Sequence, residues 1–219
     1  MTEPVLSDTL PVDLLQFREV VRNPEAHAVV LGQYRVGEQA GVVGLRRLLD
    51  EMEPEGKLRS AMEIHYRDES RHSALFTDWI RRVGVTPPPL PADLEGFFSA
   101  SPEEHRQNRA MLEALPAETR RIIVFSVINA IERLAYTQFE AHLLCLDRRE
   151  DIDALESVMA EERFHLHYIE AELERQEKGP NAAVVAAALE QSRTRVAQFR
   201  AMKEREIVAS LERVLGGGA

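Results

Sequence analysis

The sequence predicts an all-α protein, organised as a four-helix bundle with one long crossover, a short N-terminal helix and a long C-terminal helix. Apolar residues recur at helical spacing almost throughout, and no stretch shows the alternation of a β-strand. Two pairs of long helices with short turns are separated by a proline-containing connection of about 33 residues, 84–116, which is long enough to run from one end of a bundle to the other. No linker divides the chain, so we expect a single domain over 1–219 with its bundle core at about 25–177.

Proline and glycine mark the ends of the helices in the first half of the chain. A short amphipathic helix follows Pro11 and ends at Asn23-Pro24. Its apolar stripe consists of Leu14, Leu15, Phe17, Val20 and Val21. The first long helix is expected from about Glu25 to Glu51 and the second from about Lys57 to Val83, with the turn-like EPEG segment between them.

The second half follows the same plan after the crossover. The prolines of 84–96 exclude a helix there, and Ser101-Pro102-Glu103-Glu104 is a suitable N-cap and first turn for a short helix within the crossover. A third long helix is expected over about Ala117–Leu146 and a fourth over about Ile152–Glu177. A Gly-Pro-Asn turn separates the fourth helix from a fifth over about 181–215.

Charge and composition limit the possible partners. The chain carries 37 acidic and 27 basic residues, and its net charge of −10 opposes extensive contact with the phosphates of nucleic acid. Its longest apolar runs fall short of the roughly 20 residues of a membrane span, and its acidic start is unlike a signal peptide, so we expect a cytoplasmic protein. Cys145 is the only cysteine, which excludes an internal disulfide and leaves histidine and carboxylate ligands for any metal.

Each predicted helix pair carries the same arrangement of glutamate and histidine. Glu38 precedes the Glu-x-x-His motif at 69–72 by 31 residues, and Glu132 precedes the motif at 162–165 by 30 residues. In an antiparallel hairpin such an interval returns the chain to nearly the same height, and residues three apart share a helix face. We therefore expect six side chains to meet at the middle of the bundle: Glu38, Glu69, His72, Glu132, Glu162 and His165.

Four carboxylates and two imidazoles could not be buried together without a cation, because charges removed from water need pairing or coordination. A dinuclear metal centre satisfies that need, since two divalent ions bring four positive charges to four carboxylates. Hard oxygen donors and borderline nitrogen donors suit iron or manganese. The pattern thus predicts two Fe ions, with a mixed Mn/Fe pair as the alternative.

These motifs resemble those of the ferritin-like superfamily of di-iron carboxylate proteins, in which two single glutamates accompany two Glu-x-x-His motifs. The resemblance implies the six residues above as metal ligands. Within that superfamily the chain is most similar to small oxygen-dependent enzymes, notably the aldehyde-deformylating oxygenases, over about residues 28–175. The segments that carry the likeness are GEQA at 37–40, RDESRH at 67–72, GFF at 96–98, NAIERLAY at 129–136 and EERFHLHY at 161–168.

Residues next to the motifs are candidates for supporting the ligands. Metal-bound histidines usually donate their second N–H to an acceptor, and in several oxygen-activating relatives an acidic residue just before the motif glutamate serves the histidine of the opposite motif. By this resemblance we expect Asp68 to hold His165 and Glu161 to hold His72. His65, one turn before Glu69 on the same face, is a further candidate ligand that the repeated pattern does not include.

Aromatic and small residues flank the expected centre. Tyr34 and Tyr136 should project toward the same end of it, and Phe76 and Trp79 should point there as well. They would form a pocket wall, a hydrogen-bonding pair for a bound oxygen species, or an aromatic core layer. The small residues of GEQAGVVG, 37–44, would permit either a cavity beside the metals or close helix packing.

The resemblance implies an enzyme, a non-haem di-iron oxygenase or oxidase with O2 as co-substrate and a small organic molecule as substrate. Hydroxylation, N-oxygenation and aldehyde deformylation all stay open, as do an external electron donor and the oligomeric state. The alternative is a ferritin-like ferroxidase or a rubrerythrin-like peroxide scavenger, although one cysteine cannot build a rubredoxin iron site. A metal-free helical interaction protein is the third class.

Overall fold

The computed structural model describes residues 14–51, 56–89 and 110–216. These residues form six helices of more than two turns, one helical turn at 110–113 and no strand, so the all-α class is confirmed. The six helices are α1 (Leu14–Arg22), α2 (Pro24–Glu51), α3 (Lys57–Val83), α4 (Ala117–Leu143), α5 (Arg149–Glu177) and α6 (Ala182–Gly216). The short helix expected after Ser101 and the GFF segment lie outside the described residues.

Local capping explains where α2 begins and where α3 ends. Asn23 Oδ1 accepts hydrogen bonds of 3.0 Å from the backbone N–H groups of Glu25 and Ala26, which makes Asn23 the N-cap of α2. Gly84 ends α3 with a left-handed backbone (φ 79°) and donates its N–H to the carbonyls of Ile80 and Arg81. These two boundaries fall within a residue of the sequence prediction.

The boundary between α4 and α5 differs from the prediction. The third long helix was expected to reach Leu146, but α4 ends at Leu143, and the fourth begins at Arg149 instead of Ile152. Cys145 N–H bonds to the carbonyl of His142, three residues back, and this tighter pattern closes the helix. The acidic residues in the first turn of α5 favour the earlier start through the helix dipole.

The helices pack around two apolar regions. α2 packs along α3, α4 packs along α5, and α3 meets α5, while α6 lies against α4, α2 and α5. The first core cluster includes Tyr34, Phe76, Trp79, Phe139 and Met159. The second core cluster includes Leu45, Met62, Phe125, Ile169 and Leu173. Each of the helices α2, α3, α4 and α5 contributes to both clusters, so the polar residues between those contributions are enclosed on both sides.

Among the described helices, α4 alone is long and apolar enough to cross a membrane by length and composition, a test that the core helix of a soluble protein also passes. Its buried polar residues Asn129, Glu132 and Gln138 face the interior, as they would in a core helix. The expected absence of a membrane span is not tested by this feature and stays a prediction.

Candidate metal centre

A cluster of buried glutamate and histidine side chains lies between the two core clusters. Their potential ligand atoms fall into two groups, and within each group these atoms all lie within 4.8 Å of one another. The first ligand group consists of Glu38, Glu69, His72 and Glu162. The second ligand group consists of His65, Glu69, Glu132 and His165. The structure thus brings together all six residues singled out in the sequence, and it adds His65.

Two carboxylates connect the groups. Glu162 Oε1 lies 3.2 Å from His72 Nδ1, and Glu162 Oε2 lies 2.8 Å from His165 Nδ1. Glu69 belongs to both groups, and its Oε1 lies 3.2 Å from His65 Nε2 and 3.8 Å from His165 Nδ1. Glu69 and Glu162 would therefore be the carboxylates shared between two ions if both ligand groups were occupied.

The spacing of the donor atoms fits metal coordination. Donors bound to one ion at about 2.1 Å and roughly at right angles lie about 3 Å apart. His72 Nδ1 lies 3.2 Å from Glu38 Oε2, and His65 Nε2 lies 3.0 Å from Glu132 Oε1. The donor set contains only carboxylate oxygen and imidazole nitrogen, which suits a divalent cation such as iron, manganese or zinc.

His65 is a candidate ligand that the repeated pattern of one glutamate and one Glu-x-x-His motif does not include. Its Nε2 faces Glu69 and Glu132, its Nδ1 lies 2.7 Å from the hydroxyl of Tyr168, and its ring stacks on that of His165 at 3.6 Å between centroids. The sequence signal for His65 as a ligand is its position four residues before Glu69, because residues four apart share a helix face. The centre thus offers three imidazoles, not two.

Burial controls the charge of the cluster. Burial, reinforced by the neighbouring carboxylates, raises the pKa of Glu69 well above its usual value, and burial together with Glu162 raises the pKa of Glu132. Burial would lower the pKa of His72, but hydrogen bonds with Glu162 and Glu38 raise it to about 11. The raised pKa values of Glu69 and Glu132 indicate a site that is short of positive charge, which two divalent ions would supply.

The second nitrogen of each motif histidine faces another carboxylate. His165 Nε2 lies 3.2 Å from Asp68 Oδ2, and His72 Nε2 lies 2.7 Å from Glu161 Oε2. These are the pairs expected from the sequence. Arg71 joins them, because its guanidinium donates a hydrogen bond of 3.0 Å to Asp68 and also pairs with Glu161. In both His72 and His165 the Nδ1 atom therefore faces the ligand groups, as a nitrogen that coordinates a metal would.

The two tyrosines do not form a pair at the centre. The Tyr34 hydroxyl lies 3.5 Å from the carbonyl of Gln138, and its ring packs on Phe76 in the first core cluster, so Tyr34 belongs to an aromatic core layer. The Tyr136 hydroxyl accepts a hydrogen bond of 2.9 Å from Arg163 of α5. Tyr136 also packs against the first core cluster, and the catalytic role expected of Tyr34 and Tyr136 stays a prediction.

A cavity of about 660 Å³ adjoins the ligand groups between α2, α4 and α6. Glu38, Glu69, Glu132 and His65 line one side of it, and the small residues of α2 leave space for it. Its remaining wall is largely apolar and includes Val127, Ile128, Ile131, Val196, Phe199 and Met202. This volume lies in the range of pockets that hold small organic ligands.

The described helices and side chains define an all-helical protein with a buried histidine and carboxylate cluster that could hold metal ions. No protein-family model, curated protein or solved structure that was compared with the chain matches it. The assignment of function therefore rests on the geometry of the centre and of the cavity beside it.

Proposed function

We propose that this protein is a ferritin-like di-iron enzyme that uses O2 to oxidise a small organic substrate. One observation carries the proposal: two buried ligand groups that share Glu69 open directly onto a cavity of about 660 Å³. A purely structural metal site would not need such a cavity, because structural sites are closed by protein ligands. A substrate site without metal would not need four carboxylates in its floor.

The order and packing of the helices support a ferritin-like topology. α2 with α3, and α4 with α5, form two pairs with short connections, and the segment between the pairs runs from residue 84 to residue 116. Each pair contributes one single glutamate and one Glu-x-x-His motif. This is the layout of a bundle with one crossover and a di-metal site on facing helices.

The donor set supports iron. Cys145, the single cysteine, is buried in the first core cluster, and neither ligand group found among the described residues contains a soft sulfur ligand. Ferrous ions, when bound, would supply the electrons that activate O2. Asp68 and Glu161 would fix the orientation of the two motif histidines, and the apolar walls of the cavity would keep water from the reacting atoms.

The volume of the cavity favours an oxygenase over a ferroxidase or a peroxide scavenger. Those reactions act on ions or on very small molecules, and a cavity of about 660 Å³ exceeds what they need. The oxygenase proposal requires that O2 consumption depend on an organic substrate. Fast turnover of peroxide, or of excess ferrous iron without organic substrate, would instead favour the alternative.

Metal content per chain tests the proposal first. After anaerobic reconstitution with ferrous iron we expect about two irons in the wild type and far fewer in a Glu69→Ala/Glu162→Ala double variant. The control is Glu63→Ala/Glu156→Ala, which removes two exposed glutamates from the same two helices. O2 uptake with a panel of small aliphatic acids, aldehydes and amines follows. Equal, low iron in all three proteins would refute the di-iron centre.

A further inference from the structure

A buried lysine lies at one end of the cavity without a counter-ion among the described residues. Lys203 of α6 is 6% exposed and lines the cavity wall. Its Nζ donates a hydrogen bond of 2.7 Å to Gln138 Oε1, a neutral acceptor, and lies 5.6 Å from the ring centres of Tyr34 and Phe199. No carboxylate in the described ranges pairs with it within 4.0 Å. Lysine is almost never fully buried unless it is paired.

A second polar side chain at the same end of the cavity is buried without a hydrogen-bond partner among the described residues. Gln33 of α2 is 2% exposed and lines the cavity, and neither its side-chain nitrogen nor its oxygen has a hydrogen-bond partner among the described residues. An unpaired buried amide costs free energy, so its presence calls for a ligand or a function. The Gln33 amide and the Lys203 ammonium could both donate to one acceptor group placed between α2 and α6.

The rest of the cavity differs in character. Along α2 the lining residues run from Gln33 past Glu38 to Gly41 and Gly44, a rise of roughly 16 Å. Beyond the carboxylates of the ligand groups the lining from α2 and α4 is apolar or small, whereas α6 contributes Ser192, Arg195 and Gln198 to its wall. Gln33 precedes Glu38 by five residues, or roughly 7 Å along the helix axis. The chain of a molecule bound at the Lys203 end would therefore extend along the cavity past the two ligand groups.

We propose that Lys203 and Gln33 bind the carboxylate of an aliphatic monocarboxylic acid whose apolar chain lies along the cavity past the two ligand groups. The ammonium supplies the charge, the amide supplies a second donor, and the small residues of α2 leave room for the chain. Burial lowers the pKa of Lys203 to about 8, so the side chain is still mostly cationic at pH 7. The reactive role of this ligand rests on the proposed function, whereas its binding does not.

Calorimetric titration of the full chain with decanoate, decan-1-ol and decylamine tests the site, both without metal and after anaerobic loading with ferrous iron. We expect decanoate to bind about tenfold or more tightly than decan-1-ol, because a hydrogen bond to a charged group contributes that much. Decylamine should bind more weakly than either. The metal-free titration separates the two proposals, since low iron content would refute the di-iron centre and leave this preference intact.

Variants of α6 locate the anchor. Lys203→Met, which keeps most of the length of the side chain but removes its charge, and Lys203→Gln should each abolish the preference for decanoate over decan-1-ol. Arg205→Gln, which removes the same charge from an exposed position on α6, should keep it. Gln33→Met should weaken decanoate binding by a smaller factor, and circular dichroism checks that each variant folds.

Any of several results would overturn the inference. They include equal binding of decanoate and decan-1-ol to the wild type, retention of the preference in both Lys203 variants, and loss of the preference in Arg195→Gln alone. Arg195 is an exposed residue that lines the cavity farther along α6, so the last result would place the anion at the other end. Absence of any binding of decanoate to the wild type would count against the inference in the same way.

Discussion

Gly41 of α2 lies directly against the Glu69 carboxylate of α3. A Cβ atom at residue 41 would overlap Glu69 Oε2 and come within 3.0 Å of Glu69 Cδ, whereas Cβ atoms at Gly37 and Gly44 would meet nothing within 4 Å. The missing side chain at position 41 therefore lets Glu69 reach both ligand groups. Of the three glycines in this stretch of α2, this one is required by the centre.

Gly41→Ala should displace the Glu69 carboxylate and lower the iron content per chain, since Glu69 is shared by both ligand groups. Gly44→Ala is the matched control, because it adds the same methyl group to open space and should keep wild-type iron. It should also raise the free energy of unfolding by about 0.5–1 kcal/mol through helix propensity. Metal analysis after anaerobic loading decides the matter, and equal iron in both variants would show that Glu69 tolerates the methyl group.

Tyr168→Phe should weaken divalent metal binding by roughly 10–100-fold, because the hydroxyl that fixes the ring of His65 is lost. His65 Nδ1 would also be left unpaired in the interior, which should reduce the stability of the metal-free protein by about 1–3 kcal/mol. Competition with a chelator measures the affinity. Tyr66→Phe on α3, half-buried and outside both ligand groups, is the control. If Tyr168→Phe binds metal like the control, His65 is not a ligand.

Asp68→Asn should lower metal affinity by roughly 10–100-fold, because a neutral amide holds the imidazole of His165 less strongly and can present the wrong group to it. Glu161→Gln should act in the same way through His72. Asp78→Asn removes an exposed charge from the same helix as Asp68 and should have no effect. The same chelator competition applies. An unchanged affinity in Asp68→Asn would remove the supporting role of Asp68.

Stability should fall with acidity through a histidine pair far from the ligand groups. His27 Nε2 and His142 Nε2 lie 3.0 Å apart in the interior, and His142 Nδ1 has no partner among the described residues. Burial lowers the pKa of His27 to about 4 and that of His142 well below its usual value. Unfolded histidines bind protons near pH 6.5, so the contribution of the pair is present above about pH 6.5 and is lost as pH falls toward 4.

Urea unfolding at pH 7 and pH 5, with chelator present, measures that loss. Each depressed histidine contributes up to about 1.4 kcal/mol per pH unit in this window. A His27→Leu/His142→Leu variant should therefore lose at least roughly 2 kcal/mol less stability than the wild type between the two values. His167→Leu, which removes an exposed imidazole, should behave like the wild type. The same pH dependence in all three proteins would contradict the assignment.

Much of the ligand arrangement follows from regular helix geometry. The single glutamates and the Glu-x-x-His motifs could be placed together because a helix has a fixed rise and a short turn fixes the register of a hairpin. Glu38 and the 69–72 motif accordingly meet, as do Glu132 and the 162–165 motif. The repeat does not predict His65, because its two halves differ at this position: His65 lies four residues before Glu69, and Val158 lies four residues before Glu162.

The contacts of α6 and Tyr136 could not be read from periodicity. α6 is alanine-rich at its start, and its apolar pattern does not say which helices it will contact. Its docking against α2 and α4 places Lys203 at the cavity. The hydrogen bond from Arg163 to the Tyr136 hydroxyl joins α5 to α4, and the spacing of residues within one helix does not predict such a contact.

The sequence by itself determined the helical class, most helix boundaries and six of the seven side chains of the ligand groups, because these depend on spacing within one helix or one hairpin. Only the tertiary structure decided that His65 joins them, that Gly41 makes room for Glu69, and that α6 closes a cavity with a buried lysine. These features depend on how separate helices rotate and dock. Such docking is fixed by the summed packing of many side chains and not by any local pattern.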